Sequence, residues 1–127
     1  MKPFVIPLGF ALLTGLAQAQ APSLLVAGHG ASLEQATDAP HARDYRLLVM
    51  REELLRVRAS RAEEEVRELL ERARRDGAVV FVCERDLKAQ RLQPKDLLPG
   101  IVTVDASRVW ESAAPSAADV KLRSLCS

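Results

Sequence analysis

The sequence predicts a single small α/β domain built on a mostly parallel sheet of about four to five strands. Short apolar runs alternate with segments of helical spacing along most of the chain. The run Ala78-Val79-Val80-Phe81-Val82-Cys83 is apolar at successive positions, which suits a strand covered on both faces. The order strand, short connector, strand, helix, strand, helix, strand, helix then fits parallel pairing through right-handed crossovers.

Ser23 to Ala27 reads as the first buried strand, stopped by the glycine pair of Gly28-His29-Gly30. A brief helix fits Ser32 to Thr37, and Pro40 interrupts the stretch up to Arg43. Tyr45 to Met50 reads as the second strand, although the Arg/Glu-rich continuation could instead draw it into a helix. Ser60 is the expected N-cap of the main helix, with Glu63 completing a capping box. Ala62, Val66, Leu69, Leu70 and Ala73 share one helical face, and Gly77 supplies the C-terminal stop after Asp76.

Beyond the run ending at Cys83, Glu84 to Leu92 reads as a short helix with Leu87 and Leu92 inward, broken by Pro94. Leu97-Leu98-Pro99-Gly100 is a turn, and Ile101 to Val104 a further strand. Ser107 can cap a helix carrying Val109 and Trp110, which Pro115 limits. The segment from Ser116 to Ser127 is weakly amphipathic and reads as helical, within a variable tail over 114–127.

Lys2, an apolar stretch from Phe4 to Leu16 and the small-x-small sequence Ala17-Gln18-Ala19 together predict a cleavable signal peptide over residues 1–19. The stretch is shorter than the roughly 20 apolar residues a spanning helix needs. The expectation is an exported, periplasmic or secreted domain over 20–127, with no stable membrane insertion. The 18 basic and 17 acidic residues nearly cancel. Loss of Lys2 would bring them level, which leaves no basic patch for nucleic acid.

Two cysteines, Cys83 and Cys126, remain in a chain expected to leave the cytosol, so compartment permits an intramolecular bridge. Cys83 falls where a strand runs into a helix, at the edge of a parallel sheet where reactive groups gather. Backbone N–H groups there, with Arg85 and Lys88 nearby, favour a thiolate, while Glu84 and Asp86 oppose it. The other reading is a small buried core cysteine.

Other motifs carry less chemistry. Gly28-His29-Gly30 lacks the third glycine of a phosphate loop, and Ser32 lacks the Gly-x-Ser-x-Gly context of a hydrolase. His29 and His41 with Asp38 lack a further Cys or Glu at ligand spacing, so neither a metal nor another cofactor is expected.

The segment from Val82 to Leu92, followed by Asp96-Leu97-Leu98-Pro99-Gly100-Ile101-Val102-Thr103-Val104, resembles the DsrE/DsrF-like family over about Ser23 to Ser112. A strand ending in Cys, a Leu-Lys-Ala helix start, Asp-Leu-Leu-Pro-Gly and a valine-rich strand carry the likeness. Glu84-Arg85-Asp86 stands where that family has small or polar residues. The resemblance implies a flavodoxin-like three-layer domain, a homo-oligomer, and a cysteine, here Cys83, that carries persulfide sulfur between donor and acceptor proteins. Arg85, Lys88 and His29 are the expected supporting residues. Two alternatives stand beside sulfur transfer: a non-catalytic small-molecule-binding or assembly module, and a thiol-disulfide protein that pairs Cys83 with Cys126.

Overall fold

The protein's architecture comes from a computed structural model that describes residues 23–41, 43–106 and 117–127. The expected signal peptide and the expected helix carrying Val109 and Trp110 lie outside the described residues. Strand β1 is Leu24–Ala27, helix α1 Leu33–Asp38, strand β2 Arg46–Val49 and helix α2 Arg51–Leu54. A 3-10 turn at Leu55–Val57 leads toward helix α3, Glu64–Arg75. Strand β3, Val79–Cys83, passes directly into helix α4, Glu84–Ala89. A 3-10 turn at Pro94–Asp96 precedes strand β4, Val102–Val104, and helix α5 is Ala117–Leu125.

The four strands form one all-parallel sheet in the order β1-β2-β3-β4. The fold is therefore the predicted small α/β domain. Because each crossover advances by one strand in the same direction, the connecting helices share one face of the sheet, as uniform handedness requires. Leu47, Val49, Val80 and Val82 point into that layer and meet Leu33, Leu54, Val66, Leu69, Leu70 and Leu87. Alternate residues Leu48, Phe81, Cys83 and Val104 point to the opposite face, where Leu122 and Cys126 of the C-terminal segment cover them. These two clusters are the two hydrophobic layers of a helix–sheet–helix sandwich.

Both strand faces being apolar explains why β3 reads as a continuous hydrophobic run. Register places Cys83 beside Val104, and Val82 beside Val49 and Thr103. Cys83 thus sits at the carboxyl end of an interior strand.

Helix α3 begins later than its sequence predicts. Glu63, not Ser60, takes the N-cap position, and no side chain caps it. The cause is tertiary: Ala59 N donates to the Asp96 carbonyl at 2.8 Å, and Leu98 N to the Val57 carbonyl at 2.9 Å. Arg58 and Leu97 form an antiparallel bridge between them. Residues 58–61 are committed to that pairing and to the turn closed by Arg61 N on the Arg58 carbonyl. Glu64 and Glu65 in the first turn offset the missing cap by opposing the positive end of the helix. In contrast, Ser32 caps α1 through a reciprocal capping box with Gln35.

Among the described residues, no helix is long and apolar enough to cross a membrane.

Candidate functional site

Cys83 has no exposed surface and is bonded to Cys126, with a Cα–Cα separation of 5.1 Å, inside the usual disulfide range of about 4.4–6.8 Å. Both cysteines of the sequence are engaged in this bridge. Cys83 gets there by strand alternation: it is two residues beyond Phe81 on the same face and is itself the N-cap residue of α4. Cys126 gets there by helical spacing. Ala118, Leu122 and Cys126 are buried at four-residue spacing, and Leu122 and Cys126 pack on the sheet. Cys126 N still donates to the Leu122 carbonyl, so the helical path continues to the cysteine.

Polar ties hold this segment in place. Arg46 of β2 pairs with Asp119 at the start of α5. Arg123 Nε donates to the Ala106 carbonyl at 3.0 Å. Arg85 donates from Nη2 to the Leu125 carbonyl at 3.0 Å and from Nη1 to the Ser127 carbonyl. The last carbonyls of a helix, Leu125 among them, lack intrahelical donors, and a guanidinium fork suits that carbonyl together with the Ser127 oxygen just beyond.

The expected supporting residues therefore play unequal parts. Arg85 belongs to the site, but its guanidinium is spent on the backbone beside Cys126, with the Asp86 carboxylate at 3.8 Å. Lys88 pairs with Glu84 at 3.4 Å on the exposed side of α4. His29 is exposed on the loop after β1, two strands away from β3 in the sheet order. His41 stacks against Tyr45 at 4.1 Å between ring centroids. Its Nε2 lies 3.3 Å from the Thr37 carbonyl. Among the described residues, no three His, Cys, Asp or Glu side chains gather as metal ligands.

A shallow groove of about 360 Å³ runs beside the bridge, lined by Glu84, Arg85, Lys88, Asp105, Cys126 and Ser127, among others. Cys126 lines it and Cys83 does not.

A second cluster at the same sheet edge has no obvious sequence signal. Asp86, only 8 % exposed, accepts from Arg51 N at 3.2 Å, and Gln90 Nε2 donates to the Arg51 carbonyl at 2.7 Å. Arg51 has φ 51, a conformation unfavourable for a side chain-bearing residue. Two side chains of the α4 segment thus hold both backbone groups of the residue that begins α2, just past β2. Only the acidic Asp86 next to an apolar Leu87 hinted at a buried carboxylate, and that pattern is common on solvated helices.

Comparison of the chain with protein families, curated proteins and solved structures finds no match.

Proposed function

We propose that this chain is an exported DsrE/DsrF-like domain that handles sulfane sulfur at Cys83, with Cys126 as the resident partner of that thiol. The bridged pair is then the oxidised resting form, and reduction yields the Cys83 thiolate that accepts sulfur from a donor protein or small persulfide. The observation that carries this reading is the Cys83–Cys126 bond at the carboxyl edge of the sheet, beside an open groove. Loops at that edge are where parallel sheets place their chemistry. The sequence likeness from Val82 to Val104 supplies the sulfur chemistry, and the leader-like residues 1–19 supply the compartment in which a bridge persists.

The test is intact-mass measurement after incubating the reduced chain with a sulfane donor. A gain of about 32 Da in a chain whose Cys126 is replaced by serine, lost when Cys83 is replaced as well, is the expected result. A reduced chain that exposes both thiols to alkylation yet never takes up sulfur would sink the reading.

The bridge itself favours a second reading, a thiol–disulfide pair that exchanges with other thiols and carries no extra sulfur. Reversible exchange with a glutathione redox buffer, without any sulfur uptake, is its signature.

A further inference from the structure

Resting on the sulfur-handling reading above, we infer that Cys126 resolves the persulfide formed on Cys83, so that the domain discharges sulfane sulfur as sulfide. A carrier that hands a persulfide to a partner needs it to survive until the partner arrives. Here a second thiol is already in place. The two α-carbons are 5.1 Å apart and the sulfurs are within bonding reach.

That proximity does not depend on the bridge alone. Leu122 is fully buried against the sheet, Arg46 pairs with Asp119, Arg123 holds the Ala106 carbonyl, and Arg85 holds the carbonyls of Leu125 and Ser127. These ties lie on both sides of Cys126 and survive when the S–S bond is opened. The backbone at Cys126 therefore stays beside the end of β3, while rotation of the freed Cys126 side chain opens Cys83 to the groove. Intramolecular attack from such a position outruns attack by dilute external thiols.

Atoms and electrons balance over the cycle. An external thiolate attacks Cys126 Sγ, the Cys83–Cys126 bond breaks, and Cys83 leaves as thiolate. A second external thiolate attacks the sulfur of the first in this mixed disulfide, and Cys126 leaves as thiolate, so two thiols are oxidised to a disulfide and the protein is reduced to its dithiol. The Cys83 thiolate then attacks the terminal sulfur of an organic persulfide, whose S–S bond breaks and whose inner sulfur departs as a thiolate. Cys83 now carries the extra sulfur. The Cys126 thiolate attacks Cys83 Sγ, the bond to the terminal sulfur breaks, and that sulfur leaves as hydrosulfide. The bridge is restored. One persulfide and the protein dithiol give one thiol, one hydrogen sulfide and the protein disulfide, with two electrons passing from the dithiol to the sulfane sulfur.

The experiment uses the full chain, reduced with dithiothreitol, desalted, and mixed with glutathione persulfide, while the bridged chain sets the background. A sulfide-selective electrode should record one equivalent of sulfide per chain, and both protein thiols should disappear. Cys126→Ser should gain about 32 Da and retain it, releasing sulfide at least about a hundredfold more slowly. Reduced wild type also lacks the bridge, so far-UV circular dichroism of the two compares like with like, and Cys126→Ala repeats the test should the serine variant misfold. Wild type that keeps the added sulfur and releases no sulfide overturns the role of Cys126 but leaves sulfur handling at Cys83 intact. Equal sulfide release from wild type and Cys126→Ser also overturns it. If neither protein takes up sulfur, the underlying reading falls with it.

Discussion

Gly28 packs its α-carbon against the backbone carbonyl of Met50, so that a β-carbon at position 28 would overlap the Met50 oxygen. The contact joins the exits of β1 and β2, where Met50 N also donates to the Ala27 carbonyl at 2.8 Å. Gly28 has φ 92, in the region that favours glycine.

Substitution at the two glycines of this loop separates collision from backbone strain. Gly30 shares φ 92 with Gly28 but has open space around its missing β-carbon. Gly30→Ala should cost about 1 kcal/mol from strain alone, and Gly28→Ala at least about 2 kcal/mol, because backbone cannot step aside as a side chain can. Urea unfolding midpoints of the two variants check the order. Equal losses would mean that the Met50 carbonyl yields.

Reduction of the bridge should destabilise the domain substantially. The link joins residues 43 apart in sequence, for which the loop-entropy account gives about 4 kcal/mol. Chemical denaturation with and without reductant measures it. A loss below about 1 kcal/mol would show that the loop-entropy account does not hold for this bridge.

Arg85 should govern how fast the bridge opens. Its two hydrogen bonds to the carbonyls of Leu125 and Ser127 brace the segment that carries Cys126. Removing about 1 kcal/mol of such bracing in Arg85→Ala corresponds to roughly fivefold faster reduction by dithiothreitol. Thiol appearance followed by alkylation and mass measurement reads the rate, with Lys88→Ala as the control. A rate equal to wild type would place Arg85 outside the device.

Acid should remove one stabilising contact on the opposite layer. Arg56 donates to both carboxylate oxygens of Glu34, at 2.7 and 2.6 Å, and to Glu53 at 2.9 Å. The hydrogen bond from Arg56, with one from its own backbone, holds the Glu34 carboxyl down to about 2 from an ordinary value of 4.5. A depressed folded value means that the contribution is complete above about 4.5 and fades as pH falls toward about 2. The Glu34 side chain is 45 % exposed, so solvent screening limits the pair to about 1 kcal/mol or less. Glu34→Gln should therefore be less stable than wild type at pH 7, and the difference should shrink as pH falls from about 4.5 toward about 2, as read by thermal or urea unfolding across that range.

Local patterns settle much of the architecture without reference to any tertiary contact. Successive apolar residues from Val79 to Cys83 define an interior strand because both its faces are covered, and they put Cys83 at its end. The spacing of Val66, Leu69, Leu70 and Ala73 defines the buried stripe of α3, and Gly77, at φ 91, its stop. Such signals are legible because a strand or helix repeats its own geometry every few residues.

Which elements meet was decided by the path of the chain. Ser60 reads as a good cap, yet pairing of residues 57–59 with 96–98 claims its neighbourhood and moves the helix start to Glu64. Arg85 reads as a helper for a thiolate, yet the carbonyls of Leu125 and Ser127 take its guanidinium. Cys126 carries no local mark of function at all. Its stripe with Ala118 and Leu122 says only that it faces inward, and only packing of α5 on the second face of the sheet turns that into a bond with Cys83. The sequence by itself determined which residues of each element face the core and where Cys83 stands, because periodicity is local. The tertiary structure alone decided that Cys83 has a partner, because contacts between residues 43 apart depend on how separate elements pack.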